Sequence, residues 1–369
     1  MRILLLGEYS NVHATLARGL RTLGHEVTVA SNGDFWKNYP RDIDLSRLEG
    51  RMGGGRLLAK VLWQLRHFRG YDIVQLINPM FLELRAEHIL PVYRYLRRHN
   101  QHVVLGAFGM DYYWVNVCST TMPLRYSDFN IGKTLRTGPD AVKERKDWIG
   151  TAKEKLNRFI ANDCDAIVAG LYEYWVCYHP LFPMKTHFIP YPIVTEKSAS
   201  SDEKGKKVPS KVNIFIGISR KRSEYKGTDI MLRAAQAVLA AHPDRMQLQV
   251  AEGVPFNEYV KMMKGADAIL DQLYSYTPSM NPLEAMAHGI VCIGGGEPEN
   301  YAILHEDELR PIINVEPTYE SVYKAVEDLV LHPERLPELQ RQSIVYIERH
   351  HDHLKVARQY EELYLSLMA

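Results

Sequence analysis

Asn281-Pro282-Leu283-Glu284-Ala285-Met286-Ala287-His288-Gly289 lies between an apolar run ending at Leu273 and another at residues 290–293. Pro suits a first helical position, Asn the N-cap before it, and Gly the left-handed residue that stops a helix. The spacing therefore predicts a short helix with Glu284 in its first turn. A carboxylate there can accept two hydroxyl hydrogen bonds beside backbone N–H groups that favour an anion, a combination suited to a diol and a phosphate. The same Asn-x-x-Glu spacing also fits a capping box, in which the glutamate folds back onto its own helix.

A second segment, Ile214-Phe215-Ile216-Gly217-Ile218-Ser219-Arg220-Lys221-Arg222-Ser223-Glu224-Tyr225-Lys226-Gly227, reads as an apolar strand, a loop with four cations and a glycine before a helix. Loops at the carboxyl ends of parallel strands are where open α/β sheets bind ligands. Arg offers a planar fork and Lys a point charge, and together they can neutralise a diphosphate. In the first half, His13 and Asp111 follow apolar runs at 2–6 and 102–107. They are the candidates there for holding a hydroxyl or a sugar oxygen.

The elements that must position these residues alternate. Apolar runs at 2–6, 26–30, 72–77, 102–107, 165–169 and 186–189 are separated by amphipathic stretches, and the alternation restarts with runs at 212–217, 246–251, 267–273, 290–293 and 311–315. That is the pattern of parallel sheets wrapped by helices. A chain of 369 residues exceeds what one core usually supports, and residues 195–210 are polar, charged and poor in large apolar groups. The expected organisation is a doubly wound domain over 1–194, a linker over 195–210, a second doubly wound domain over 211–345, and a terminal helix over 346–369 that packs back on the first.

A formal charge of +1 argues against a dedicated nucleic-acid binder. Cysteines at 118, 164, 177 and 292 show no metal or redox spacing, which suits a reducing, cytoplasmic setting. No apolar run approaches the length of a bilayer span. The stretch Arg56 to Arg69 has a basic face and an apolar one carrying Leu58, Leu62 and Leu65, read first as a sheet-covering helix and second as a weak contact with the inner face of a membrane. Gly132-Lys133-Thr134 lacks the opening glycine of a phosphate-binding loop, and Gly7-Glu8-Tyr9-Ser10 lacks a dinucleotide fingerprint. His350, His351 and His353 are read as a solvated helix surface and not as metal ligands. Glu297 and Glu299, after Gly294-Gly295-Gly296, fit either a sugar pocket or a flexible acidic turn.

Taken together, Gly24-His25-Glu26-Val27, Tyr71-Asp72-Ile73-Val74, Gly109-Met110-Asp111, the cation loop ending Lys226-Gly227, and residues 283–289 resemble the GT-B glycosyltransferases, specifically the retaining enzymes of glycosyltransferase family 4. The resemblance implies two Rossmann-like domains facing across a cleft and transfer of a sugar from a nucleotide-diphosphate donor to a saccharide or lipid-linked acceptor, with retention and without a metal or other cofactor. It assigns the diphosphate to Lys226 with Arg220 or Arg222, the ribose hydroxyls to Glu284, and donor contacts to the backbone around Met280, Asn281 and Leu283, with Gly217 at the end of the strand. Two positions depart from the family pattern: Tyr276 stands where a donor-sugar glutamate is usual, and Phe108 where a histidine is. Those departures motivate the alternatives of a non-catalytic sugar-nucleotide-binding protein, or an epimerase or hydrolase on the same fold.

Overall fold

The computed structural model describes residues 1–50, 52–195, 208–219 and 223–369. Most of the 195–210 stretch, and Arg220, Lys221 and Arg222, lie outside the described residues.

Two compact units divide the chain. The first comprises Met1–Pro123, Lys143–Pro192 and His353–Ala369; the second comprises Leu124–Val142 and Ile193–Asp352. In the first, strands β1 (Arg2–Leu6), β2 (Glu26–Ser31), β3 (Ile43–Asp44), β4 (Ile73–Leu76) and β5 (His102–Ala107) are followed, beyond the excursion described below, by β8 (Ala166–Ala169) and β9 (Thr186–Phe188). They form one parallel sheet in the order β3-β2-β1-β4-β5-β8-β9. Its central strands are buried on both faces, as continuous runs such as Ile3-Leu4-Leu5-Leu6 require of a parallel sheet with helices on both sides.

The second unit restarts with β10 (Val212–Ile218), β11 (Met246–Glu252), β12 (Ala268–Leu270), β13 (Val291–Gly294) and β14 (Ile313–Asn314), parallel in the order β11-β10-β12-β13-β14. Ile214, Ile216, Leu270 and Ile293 pack against Met231, Val238, Val322 and Val326 from the helices Thr228–Ala241 and Tyr319–Leu331. Burying each such side chain contributes on the order of 1.5–3 kcal/mol. Both units are Rossmann-like, and every apolar run singled out in the sequence contains a strand.

The orders locate the switch points. In each sheet the chain winds outward in both directions from its first strand, so the crevice falls between β1 and β4 in the first unit and between β10 and β12 in the second. Ligands of open α/β sheets bind outside the carboxyl ends of strands at such points.

One dismissed motif can be placed, one segment lies in the other unit, and one reading needs correction. Gly132-Lys133-Thr134 forms the turn of an antiparallel hairpin of β6 (Asn130–Ile131) and β7 (Thr134–Leu135), with Gly132 at φ 58°. The segment carrying it, Leu124–Val142, belongs to the second unit although its sequence neighbours belong to the first. The histidines near the end are not a solvated surface: His351 and His353 are buried, the His351 carbonyl accepts from the Ile193 N–H, and His350 Nε2 lies 2.6 Å from Glu306 Oε2. Periodicity alone does not reveal that burial.

The terminal helix His353–Met368 belongs to the first unit and lies so close to the helix Val12–Thr22 that a Cβ on Gly19 would stand 2.5 Å from the His353 carbonyl. The four cysteines are buried thiols, with Cys118 and Cys177 sulfurs 3.8 Å apart. Among the described residues no helix is long and apolar enough to cross a membrane.

Candidate functional site

At the switch point of the second unit, the loop leaving β10 ends in a short helix, Ser223–Lys226, and Gly227 at φ 72°. The Lys226 carbonyl accepts from the Leu273 N–H at 2.8 Å, and a Cβ on Gly227 would come within 2.6 Å of Leu273 Cβ. Only glycine fits that turn, and the contact fixes Lys226 beside the exit of β12. Asp271 stands at that exit, buried, its carboxyl pushed up by burial and pulled down by the nearby Lys226 charge and an Asn281 hydrogen bond. Sequence reasoning passed over Asp271 inside the run 267–273, whereas the strand ends at Leu270; an acid on the carboxyl edge of a strand was the available signal.

Asn281 therefore does not cap its helix. The helix runs Met280–Ala287 with Ser279 in the N-cap place and no side-chain cap, so Pro282 is its third residue and Glu284 lies past the first turn. The Asn281 side chain is spent instead on Asp271 and on the Tyr259 hydroxyl. The predicted stop holds: Gly289 takes φ 71°. The capping box does not form, and Glu284, half-exposed, has His288 as an i+4 neighbour at 3.5 Å. Met280 and Leu283 are buried, and the Leu283 N–H is used within the helix by the Ser279 carbonyl. Gly217 faces the Tyr259 ring, where a Cβ would meet Cε2 at 2.7 Å, so its smallness serves that ring. Tyr259 in turn packs edge-on against Phe215 at 5.1 Å.

Lys226, Asp271, Asn281 and Tyr259 thus share one place, with the open N-terminus of the Met280–Ala287 helix beside it. Fixed cations and free helix N–H groups at such an edge can hold and neutralise a phosphate or diphosphate.

On the next stretch of the same edge, Tyr276 is buried and committed. Its hydroxyl accepts from the Arg125 N–H at 2.6 Å, its ring lies 4.9 Å beneath the Arg125 guanidinium, and Tyr126 packs against it at 4.9 Å. Arg125 forks onto Glu297 (2.6 Å) and Glu299 (2.5 Å), and the Tyr126 hydroxyl donates to Glu297. Arg136, on the same inserted segment, donates to the Glu224 carbonyl at 3.0 Å and stacks on Tyr274 at 3.5 Å. Glu297 and Glu299 are neither an open pocket nor a flexible turn; the insertion ties them down. The glycine run serves approach, since a Cβ on Gly295 would lie 2.3 Å from the Ser275 carbonyl.

In the first unit the switch-point loops carry different chemistry. Gly7, at φ 87°, lets β1 turn against Ile77, and Ser10 and Asn11 both take positive φ. Glu8 is buried, with its carboxylate accepting from the His13 and Ala14 N–H groups at 3.2 and 2.8 Å. Burial nevertheless pushes it up to about 8. His13 is fully buried, its Nδ1 2.8 Å from the Gly7 carbonyl and its Nε2 3.4 Å from Gln75, and desolvation pulls it down to about 3. It is a neutral interior imidazole.

Asp111 caps the helix Tyr112–Thr120 through the Trp114 N–H (2.8 Å) and accepts from the Tyr178 hydroxyl (2.7 Å); burial raises it to about 7. Phe108 is buried between His13 and Tyr191. Among the described residues, no three His, Cys, Asp or Glu side chains gather as metal ligands.

No protein-family model matches the sequence, and no curated protein matches it. Solved structures match along the whole chain. Anabaena HepE in complex with UDP-glucose superposes with a TM-score of 0.61 at 12% identity, covering 99% of this chain and 100% of that one. Sucrose-phosphate synthase from Thermosynechococcus elongatus gives 0.60 at 14%, covering 100% and 99%. UDP-GlcNAc 2-epimerase from Neisseria meningitidis, bound to UDP-GlcNAc, gives 0.56 at 12%, covering 99% and 100%. At such identities the likeness shows the fold, which is the GT-B architecture of two Rossmann-like domains.

Proposed function

We propose that the protein is a cytoplasmic glycosyltransferase that moves a sugar from a nucleoside-diphosphate donor to a saccharide or lipid-linked acceptor, with retention and without a metal. The observation that carries this reading is the group at the switch point of the second unit: Lys226 pinned beside Asp271, and the uncapped N-terminus of the Met280–Ala287 helix, which carries the half-exposed Glu284 as its fifth residue. Proteins of the same fold held with UDP-glucose and UDP-GlcNAc support a sugar nucleotide as the ligand.

In this reading Lys226, with Arg220 and Arg222, stabilises the charge that builds on the departing diphosphate, and the helix N–H groups at Met280 and Asn281 add to it. Glu284 accepts from the ribose hydroxyls. Asp111 and His13, both interior, shape the acceptor-side loops of the first unit and do not exchange protons with substrate.

A second reading has its own observation. Glu8 and Asp111 are buried carboxyls raised towards neutrality at the carboxyl edge of the first sheet, the range in which a carboxyl serves as acid or base, and the same fold occurs in UDP-GlcNAc 2-epimerases. Incubation with a panel of UDP-sugars separates the two. Proton NMR of a transferase reaction shows acceptor-dependent UDP release and a glycoside of unchanged anomeric configuration. An isomerised sugar nucleotide, or free sugar without acceptor dependence, supports the second reading, and binding without turnover supports a non-catalytic role.

A further inference from the structure

The helix Gly53–Gln64, between β3 and β4, buries Gly53, Leu57 and Val61, a stripe at four-residue spacing that the buried Phe68 continues. This differs by one position from the face expected from Leu58, Leu62 and Leu65. The shift turns large apolar side chains outward. Leu62 and Trp63 are 55% and 58% exposed, Met52 just before the helix 69%, and Leu48 on the preceding loop 60%.

Cations accompany them. Residues 52–70 contain Arg56, Lys60, Arg66 and Arg69 and no Asp or Glu, in a chain whose formal charge is only +1. Lys60 reaches Asp44 at 2.8 Å, and the Arg66 guanidinium stacks 4.0 Å over Trp63.

We infer that this face of the first unit docks on an anionic lipid bilayer, independently of the reaction the protein performs. A helix facing only water gains nothing from an outward Leu62-Trp63 pair at one end with Met52 and Leu48 exposed at the other, and large apolar groups turned to solvent along one element mark an interaction surface. The charge pattern selects the partner. Arg56, Arg66 and Arg69, with Asp44 and Glu49 on the preceding stretch to offset them, complement a negative leaflet, their stems lie along apolar surface while their heads reach phosphate, and Trp suits the headgroup boundary. A nucleic acid would leave Met52 and Leu62 in water.

The test is flotation of the full chain with vesicles of phosphatidylcholine alone or mixed with phosphatidylglycerol. The protein floats with the mixed vesicles, does not float with the neutral ones, and is released by high salt. The paired change Leu62→Ser with Trp63→Ser lowers the bound fraction by about tenfold or more with unchanged circular dichroism, and Arg56→Gln with Arg66→Gln lowers it on the order of tenfold. No flotation with mixed vesicles, or equal flotation of both variants, overturns the inference. So does self-association in lipid-free solution that the Leu62→Ser, Trp63→Ser change abolishes, which would assign the face to a second copy of the chain.

Discussion

Buried carboxyls at the sheet edge of the first unit give the molecule a pH signature. Glu8, raised to about 8 by burial against the pull of two helix N–H groups, and Asp111, raised to about 7, hold protons in the folded chain that unfolded carboxyls release near pH of about 4. The folded state therefore binds more protons across that window. The stability these groups contribute is present below about pH 4 and lost as pH rises towards about 8. Urea midpoints of Glu8→Gln and Asp111→Asn should vary less between about pH 5 and 8 than those of the native sequence; an equal slope would show that both carboxyls ionise freely. His13 belongs to the same interior. Its replacement by Ala should cost about 2–4 kcal/mol of stability, as a filled core position does, and chemical denaturation reads it. The sequence put His13 after a strand, where chemistry and packing look alike; only its contacts with Gly7 and Gln75 separate them.

Among the elements, the inserted segment Leu124–Val142 is the least legible. Its strands have two residues each, and its partners Tyr276, Glu297 and Glu299 lie more than 150 positions downstream. By contrast the strands of both sheets announced themselves through continuous apolar runs, because a parallel strand buried on both faces leaves no polar alternation to misread. The helix at Met280 shows a local rule overridden: Asn281 is a good cap by type, but Asp271 and Tyr259 compete for its side chain. Arg125→Ala should release the insertion, leaving the buried Glu297 without its cation, and amide exchange over residues 124–136 should quicken by about tenfold or more while the two sheets stay protected. Gly295→Ala, with its methyl 2.3 Å from the Ser275 carbonyl, should cost more than about 2 kcal/mol in thermal or urea unfolding.

For the whole molecule, the second unit is not one continuous stretch, and neither is the first, which is completed by residues 353–369 from the far end of the chain. Strand order, which fixes the switch points, depends on which runs pair, and no single run states its neighbour. That is why the cation loop and Glu284 stood out by residue type and spacing, while Asp271, between them in sequence and beside Lys226 in the fold, did not. Closure of the first unit by its last helix predicts that Gly19→Val, whose Cβ would stand 2.5 Å from the His353 carbonyl, lowers the melting temperature by several degrees, on the order of 2–4 °C per kcal/mol lost for a domain of this size.

The most direct test of the central claim is calorimetric titration of the purified full chain with UDP, beside Lys226→Ala and Glu284→Gln. Each substitution removes a charged hydrogen-bonding group that the proposed donor site uses. The account predicts measurable binding by the native chain, weakened by about 1–3 kcal/mol in each variant with folding intact. Native affinity in both variants, or a native chain that binds no nucleoside diphosphate, would contradict it.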